Sequence, residues 1–400
     1  MIKKIPIDEL KPGMEVVQVA HDLWQHLPYL YSEPGIIESE AEVARLLDLG
    51  YREAFVATDE ADGLTDEARL DQLISGRDLG RKRPPRTPFD QALPAAMATY
   101  EDAMAHAMQI VHDAKLGRKM DYATSLETAS AIVESAVSNP DTLVCLAKLS
   151  DFDDYTYTHC INVAAISVVF GEYIGMSREE LVLLGVAGMM HDLGKTTVPA
   201  RIINKPGPLT NAEREEVRRH PAYGCDILKR NSDIPAQVLR AVQYHHERYN
   251  GSGYPDGLTR KDIPAFARIL CLADVYDALT SDRCYKNAIL PNKALGIMYG
   301  MRDQDFDPTE VQLFIKCLGI FPAGSFVRLN TGEYALVFET NSSEPLNPKI
   351  RIIMNQEMKP ILTRDVDLHL QPKGKDAIEI LECADPSAYR KNLMNYLARN

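Results

Sequence analysis

The amino-acid sequence predicts a mainly α protein: an α-helical bundle with a small N-terminal α+β domain and a short β-rich C-terminal appendage. Three observations lead there. Apolar residues recur at helical spacing from about Gln91 to Leu318, with breaks at Gly117 and Asn139-Pro140, as amphipathic helices require. Residues 3 to about 60 mix short β-like runs with one helix. Beyond Gly324, apolar and polar residues alternate on either side of Asn330-Thr331-Gly332, the pattern of a hairpin.

Each element follows from its local sequence. Gly13 to Val19 and Glu53 to Ala57 read as strands, and Glu38 to Leu49 as an amphipathic helix that Gly50 ends. The basic stretch Arg81-Lys82-Arg83-Pro84-Pro85-Arg86-Thr87-Pro88 reads as a solvated linker, because its prolines block regular hydrogen bonding. Ser177-Arg178-Glu179-Glu180 and Thr210-Asn211-Ala212-Glu213 have the form of capping boxes, each opening a helix. The run Leu181 to Met190 is apolar nearly all round, as a buried helix must be, and Gly194 is placed to end it in a left-handed cap. Gly324 to Thr340 forms the expected hairpin, and Lys349 to Met354 adds a strand. The expected division is 1–80 for the N-terminal module, 81–125 for linker and connecting helix, 126–320 for the helical domain and 321–400 for the appendage and tail.

Composition excludes several classes. With 400 residues, 45% hydrophobic and 25% charged, the chain is an ordinary globular one of two or three domains. No run approaches the roughly 18 apolar residues of a membrane span, and Met1-Ile2-Lys3-Lys4 leads into Pro6 and Asp8 rather than a signal-peptide core. A cytoplasmic location is therefore expected. The seven cysteines are widely spaced, without a CxxC pair, which argues against a disulfide framework and a thiolate zinc site. A net charge of −13 argues against binding a nucleic-acid polymer, whose phosphates need a basic face.

Five of the ten histidines, His159, His191, His220, His245 and His246, fall in one stretch together with Asp192 and Asp274. Neighbours on a helix point about 100° apart, so His191-Asp192 and His245-His246 reach one cluster only where a helix ends against a cleft. Asp274 sits in the apolar run Arg268 to Ala273, where a carboxylate needs a partner. An imidazole and carboxylate set without thiolate suits Fe, Mn, Zn or Ni better than Ca or Mg, and seven ligands exceed the need of one tetrahedral ion. Two ions could share a carboxylate, for which Asp192 is the candidate, activate water and stabilise an in-line phosphoryl displacement. Lys195, one turn beyond His191, is placed to meet a phosphate oxygen as charge builds on it.

His191-Asp192 with Lys195, then His220-Pro221, His245-His246-Glu247 and Gly253-Tyr254-Pro255 resemble the HD-GYP family, a branch of the HD superfamily of metal-dependent phosphohydrolases. Lys205-Pro206-Gly207-Pro208-Leu209-Thr210 and Arg283-Cys284-Tyr285-Lys286 also match its pattern, so the resemblance spans about Asp151 to Pro308. Residues 3 to about 130 resemble, more weakly, a domain that often precedes this one. The resemblance implies an HD-type bundle that hydrolyses cyclic di-GMP to pGpG, GMP or both; regulation by the N-terminal module is expected from its position in the chain alone. It implies His159, His191, Asp192, His220, His245, His246 and Asp274 as ligands of two divalent metal ions, Fe or Mn with Zn or Ni as alternatives. Asp192 and Lys195 would be catalytic. Lys195, Gly253, Tyr254, Pro255, Arg283, Tyr285 and Lys286 would bind substrate, with Arg283 and Lys286 on its second phosphate. Some members hold a third metal through a Glu four residues before the first ligand histidine; this chain has Tyr155 there, so a binuclear centre is expected.

Besides cyclic di-GMP, a diguanylate cyclase (GGDEF) domain and a second copy of the chain are the partners this resemblance brings into view. Two alternatives stand beside the enzyme: a slow or inert cyclic di-GMP receptor of the same fold, and an HD-type hydrolase of another nucleotide. Lys195 and the full ligand set favour the enzyme over the receptor, and the Gly-Tyr-Pro block disfavours the other hydrolase.

Overall fold

A computed structural model describes residues 2–21, 35–37, 39–48, 51–57, 86–150, 155–205, 207–230, 233–282, 288–341, 344–371, 374, 377–386 and 390–397. The N-terminal module contains β1 (Ile2–Pro6), β2 (Glu15–His21), β3 (Gly35–Ile36), α1 (Glu40–Asp48) and β4 (Tyr51–Ala57). Its strands pair antiparallel in the order β1-β4-β2-β3. Ile7, Leu10, Val16, Ile37, Val43 and Ala54 give it a small core of its own. Strand β1 was not among the expected strands; it pairs along its whole length with β4. Glu38, Leu49, Gly50 and the linker residues Arg81 to Pro85 lie outside the described residues.

The bundle begins at Phe89, just past Pro88, with the 27-residue α2 (Phe89–Lys115). Phe89, Leu93, Ala96, Tyr100, Ala103, Met104, Ala107, Ile110, Val111 and Ala114 are buried along one stripe of it, so α2 shares the apolar core of the helices that follow. Next come α3 (Tyr122–Ser138), capped by Asp121, and α4 (Pro140–Leu149), capped by Asn139. Then follow α5 (Tyr155–Ile174), α6 (Arg178–Met190), the short α7 (Ala200–Ile203), α8 (Asn211–Arg218), α9 (His220–Leu228) and α10 (Ala236–Tyr244). Finally, α11 (Ala265–Thr280), α12 (Pro291–Gly300) and α13 (Pro308–Leu318) complete the bundle. Both expected capping boxes form, Ser177 with Glu180 and Thr210 with Glu213.

The C-terminal part is an open antiparallel sheet in the order β8-β7-β6-β5-β9. It comprises β5 (Phe326–Leu329), β6 (Tyr334–Glu339), β7 (Lys349–Met354), β8 (Pro360–Asp367) and β9 (Ile380–Cys383), followed by α14 (Arg390–Leu397). Strands β5 and β6 are the expected hairpin. The sheet's apolar residues, among them Val327, Leu336, Ile350 and Ile352, join the core of the bundle. Arg351, fully buried, fastens this junction. It donates to Asp365 at 2.7 and 2.9 Å, to Asp90 at the start of α2 at 2.9 and 3.2 Å, and to the carbonyls of Tyr396 and Leu397. A buried guanidinium has to be satisfied in this way, because unpaired it would cost several kcal/mol, roughly, in the interior.

The protein is thus a mainly α-helical bundle preceded by a small domain and followed by a β-rich, unclosed sheet. Among the described residues no helix is long and apolar enough to cross a membrane. Cys145, Cys160, Cys225, Cys271 and Cys383 are buried free thiols and Cys317 is half-buried; Cys284 lies outside the described residues.

Candidate metal centre

Helix ends bring the site together. Helix α6 closes at His191, and Asp192 leaves it with φ −97° and ψ 6°, opening a 3-10 turn over Leu193–Thr196. This corrects the expected role of Gly194, which lies inside that turn and has no left-handed φ. What glycine supplies is space: a Cβ there would stand 1.9 Å from the His220 carbonyl oxygen and 2.4 Å from the Gly224 nitrogen. The turn carrying Asp192 can therefore lie directly against the start of α9, where His220 sits. Helix α10 ends at His245, delivering His245-His246 as α6 delivers His191-Asp192. His159 comes from within α5 and Asp274 from within α11.

Two groups of donor atoms result, each within 4.8 Å of one another: Asp192, His220, His245 and His246 in one, and His159, His191 and Asp192 in the other. Asp192 belongs to both. Its Oδ1 is 3.2 Å from His220 Nε2, while its Oδ2 is 3.5 Å from His191 Nε2 and 3.6 Å from His159 Nε2. Asp274 spans the same two groups, with Oδ1 3.2 Å from His159 Nε2 and Oδ2 3.8 Å from His246 Nδ1.

The backbone fixes which imidazole nitrogen points inward. Nδ1 of His191, His220 and His245 lies 2.7–2.8 Å from the carbonyl three residues earlier, at Gly188, Val217 and Val242 respectively. A carbonyl only accepts, so each Nδ1 carries the hydrogen and each Nε2 presents a lone pair to the centre. Nε2 of His220 and of His245 face each other at 3.3 Å, and the buried Nε2 of His191 has no hydrogen-bond partner. Converging lone pairs in a buried site repel unless a cation takes them up, so these residues fit a divalent metal.

Electrostatics agree. Burial, reinforced by the neighbouring histidines, pushes His245 and His246 well below the ordinary histidine range, so both are neutral and able to ligate. Burial likewise lowers His191, only partly offset by Asp192. For Asp192, burial works upward, yet Lys195, His191 and His220 outweigh it and hold the carboxyl well below the usual range. Burial also opposes ionisation of Asp274, but the hydrogen bond and charge of His159 keep it ionised. His159 differs from these three: hydrogen bonds to Asp274 and Asp277 overcome its burial and raise it to about 9.

Around this core, Lys195 Nζ contacts Asp192 Oδ2 at 2.5 Å with a third of its side chain exposed, so it borders both the carboxylate and solvent. Tyr254 lies over His246, ring centroids 4.8 Å apart, with the Arg218 guanidinium 5.4 Å from the tyrosine ring. Gly253 lets this loop press against the backbone of Glu247 and Arg248, where a Cβ would come within 2.3 Å. The Tyr254-Pro255 peptide is cis. Glu247 gathers the loop's far side, its carboxylate accepting from the backbone N–H groups of Asp256, Gly257 and Leu258 at 2.8, 3.0 and 3.0 Å. Arg283, Tyr285 and Lys286 lie outside the described residues; next to them, Ala288 N donates to Asp282 at 2.7 Å.

Sequence reasoning left two residues without a role. Glu247 was visible only as the neighbour of two histidines. Asp277, buried, takes His159 Nδ1 at 2.7 Å and so turns His159 Nε2 toward Asp192 and Asp274. Its signal was there to read: a second carboxylate one turn beyond Asp274 on an apolar helix.

Residues 131–309 match the HD domain, residues 2–124 a domain of unknown function (DUF3391), and residues 326–389 a KOW domain associated with HD domain. A cyclic di-GMP phosphodiesterase of Pseudomonas aeruginosa is 32% identical over 371 residues, covering 92% of this chain and 89% of that protein. The cyclic di-GMP phosphodiesterase response regulator of Xanthomonas campestris is 38% identical over 179 residues, 44% of this chain and 47% of that one. A 3'3'-cGAMP-specific phosphodiesterase of Vibrio cholerae is 34% identical over 168 residues, 42% of this chain and 36% of that one.

Proposed function

The chain belongs to the HD superfamily of metal-dependent phosphohydrolases, and on that premise we propose that it hydrolyses cyclic di-GMP to pGpG, GMP or both at a binuclear metal centre. The observation that carries the reading is Asp192, one carboxylate common to two groups of ligand atoms. A shared carboxylate is what two closely spaced ions need. The likeness to a cyclic di-GMP phosphodiesterase along nearly the whole chain supports the substrate.

In this reading His159, His191, Asp192 and Asp274 hold one ion, and Asp192, His220, His245 and His246 the other. When bound, such a pair polarises the phosphate and lowers the pKa of water so that it attacks near neutral pH. Fe or Mn is the expected metal, with Zn and Ni compatible with the same nitrogen and oxygen donors. Tyr155, rather than an acidic residue, four positions before His159 keeps the number at two. Lys195 meets the charge that builds on the phosphoryl oxygens. Gly253, Tyr254 and Pro255 wall the pocket beside His246, and Arg283, Tyr285 and Lys286 hold the second half of the dinucleotide. The N-terminal module regulates turnover, and GGDEF domains and a second copy of the chain are candidate partners.

The relative specific for 3'3'-cGAMP motivates one competing substrate. The deciding experiment measures hydrolysis of cyclic di-GMP and 3'3'-cGAMP by anaerobically purified protein reconstituted separately with Fe(II) and Mn(II), counting metal in the same samples. About two metals per chain with faster turnover of cyclic di-GMP supports the proposal. Faster turnover of 3'3'-cGAMP reassigns the substrate. Two metals and tight binding without turnover make the protein a receptor.

A further inference from the structure

The hydrogen bonds behind His159 lead out of the segment that carries the metal ligands. Asp277 takes His159 Nδ1 on Oδ2 at 2.7 Å, and on Oδ1 it accepts from Asn162 Nδ2 at 2.7 Å and from the Ser281 hydroxyl at 3.0 Å. Asn162 Oδ1 in turn accepts from the Tyr100 hydroxyl at 2.5 Å. Tyr100, Asn162 and Asp277 are each only 2% exposed. Tyr100 stands on α2, inside the stretch 2–124 that matches the domain of unknown function and outside the HD-domain match at 131–309.

Every link has a fixed direction. A carboxylate only accepts, so Asn162 must turn its NH2 group to Asp277, which leaves its oxygen facing Tyr100. Burial, then the charge of Asp277, raise the Tyr100 pKa, so the hydroxyl keeps the proton it donates. Without that hydroxyl, the buried amide oxygen of Asn162 loses this donor, and rotating the amide to find another would set its oxygen against the Asp277 carboxylate. Either outcome loosens the group that orients His159.

We propose that Tyr100 is a positioning residue for His159, acting through Asn162 and Asp277, so that helix α2 sets how firmly the His159 side of the centre holds its metal ion. The inference rests on the reading of His159 as a ligand. It gives the N-terminal half of the chain a physical hold on the centre: a movement of α2 that separates Tyr100 from Asn162 weakens one ion without touching any ligand.

The test compares Tyr100→Phe, Asn162→Ala and His159→Ala in the full-length protein. Mn(II) affinity is measured by competition with a chelator, and the Co(II)-substituted protein is followed by visible absorption. Tyr100→Phe should weaken one ion about tenfold, the low end for residues that orient ligands, and shift part of the Co(II) spectrum. Its kcat should recover at saturating metal with KM unchanged, and Asn162→Ala should affect the same ion at least as strongly. Should Tyr100→Phe not fold, Asn162→Ala carries the test. Wild-type affinity and spectrum in the folded variants, while His159→Ala loses an ion, overturn the proposal but leave the ligand reading standing. If His159→Ala keeps both ions, the ligand reading fails and the proposal with it.

Discussion

Gly194 and His220 meet backbone to backbone: a Cβ on Gly194 would lie 1.9 Å from the His220 carbonyl oxygen. That approach seats the turn carrying Asp192 against the helix carrying His220, and it cannot be relieved by moving a side chain. Gly194→Ala should therefore behave as severe overpacking, costing about 3 kcal/mol or more, and should separate Asp192 from His220. Denaturant unfolding and metal counting on the same variant check both consequences. A loss below about 1 kcal/mol with full metal content would show that the two segments can part without harm.

Asp192 faces both ligand groups, whereas His246 belongs to one. Replacing Asp192 by Ala should weaken both ions, and His246→Ala should remove one and spare its neighbour. Metal titration with chelator competition distinguishes them. An equal effect of the two substitutions would mean that the carboxylate is not shared.

Glu247 accepts three backbone N–H groups of the loop after Pro255 and stands outside both groups of ligand atoms. Glu247→Gln replaces one accepting oxygen with a donor that faces N–H groups, at a cost of about 1–3 kcal/mol for the mismatch. Since Tyr254 is held over His246 by the same loop, KM should rise while metal content stays at the wild-type level. Steady-state kinetics beside a metal assay checks this, and loss of metal would place Glu247 in the centre itself.

Glu310 is buried against Arg268 Nε at 2.8 Å. Burial, only partly countered by Arg268, raises its pKa from 4.5 to about 7. A carboxyl raised on folding stabilises the protein in its protonated form, so its contribution is complete below pH 4.5 and is lost as pH rises through about 7. The stability of the wild type relative to Glu310→Gln should fall by about 1 kcal/mol per pH unit across that window. Urea unfolding of both proteins at several pH values measures the difference, and a gap independent of pH would contradict the shift.

Much of the centre was legible because its chemistry is local. Adjacent His245-His246 and His191-Asp192 sit after runs with helical periodicity, so sequence alone placed them at helix ends, and both capping boxes formed where their residues stand. Gly194 was assigned to a left-handed cap because glycine has two uses, a positive φ or a close approach, and only a neighbouring chain segment distinguishes them.

The sequence by itself determined the residue types of the centre, and with them an imidazole and carboxylate donor set and the order of the helices that carry it. Only the tertiary structure decided that Asp192 and Asp274 each reach both groups, which ring nitrogens face inward, and that Tyr100, on a helix outside the HD-domain match, reaches Asn162 behind His159. The physical reason is that donor chemistry belongs to each side chain. Direction and distance are set where helices distant in sequence pack into one buried, closely fitted core.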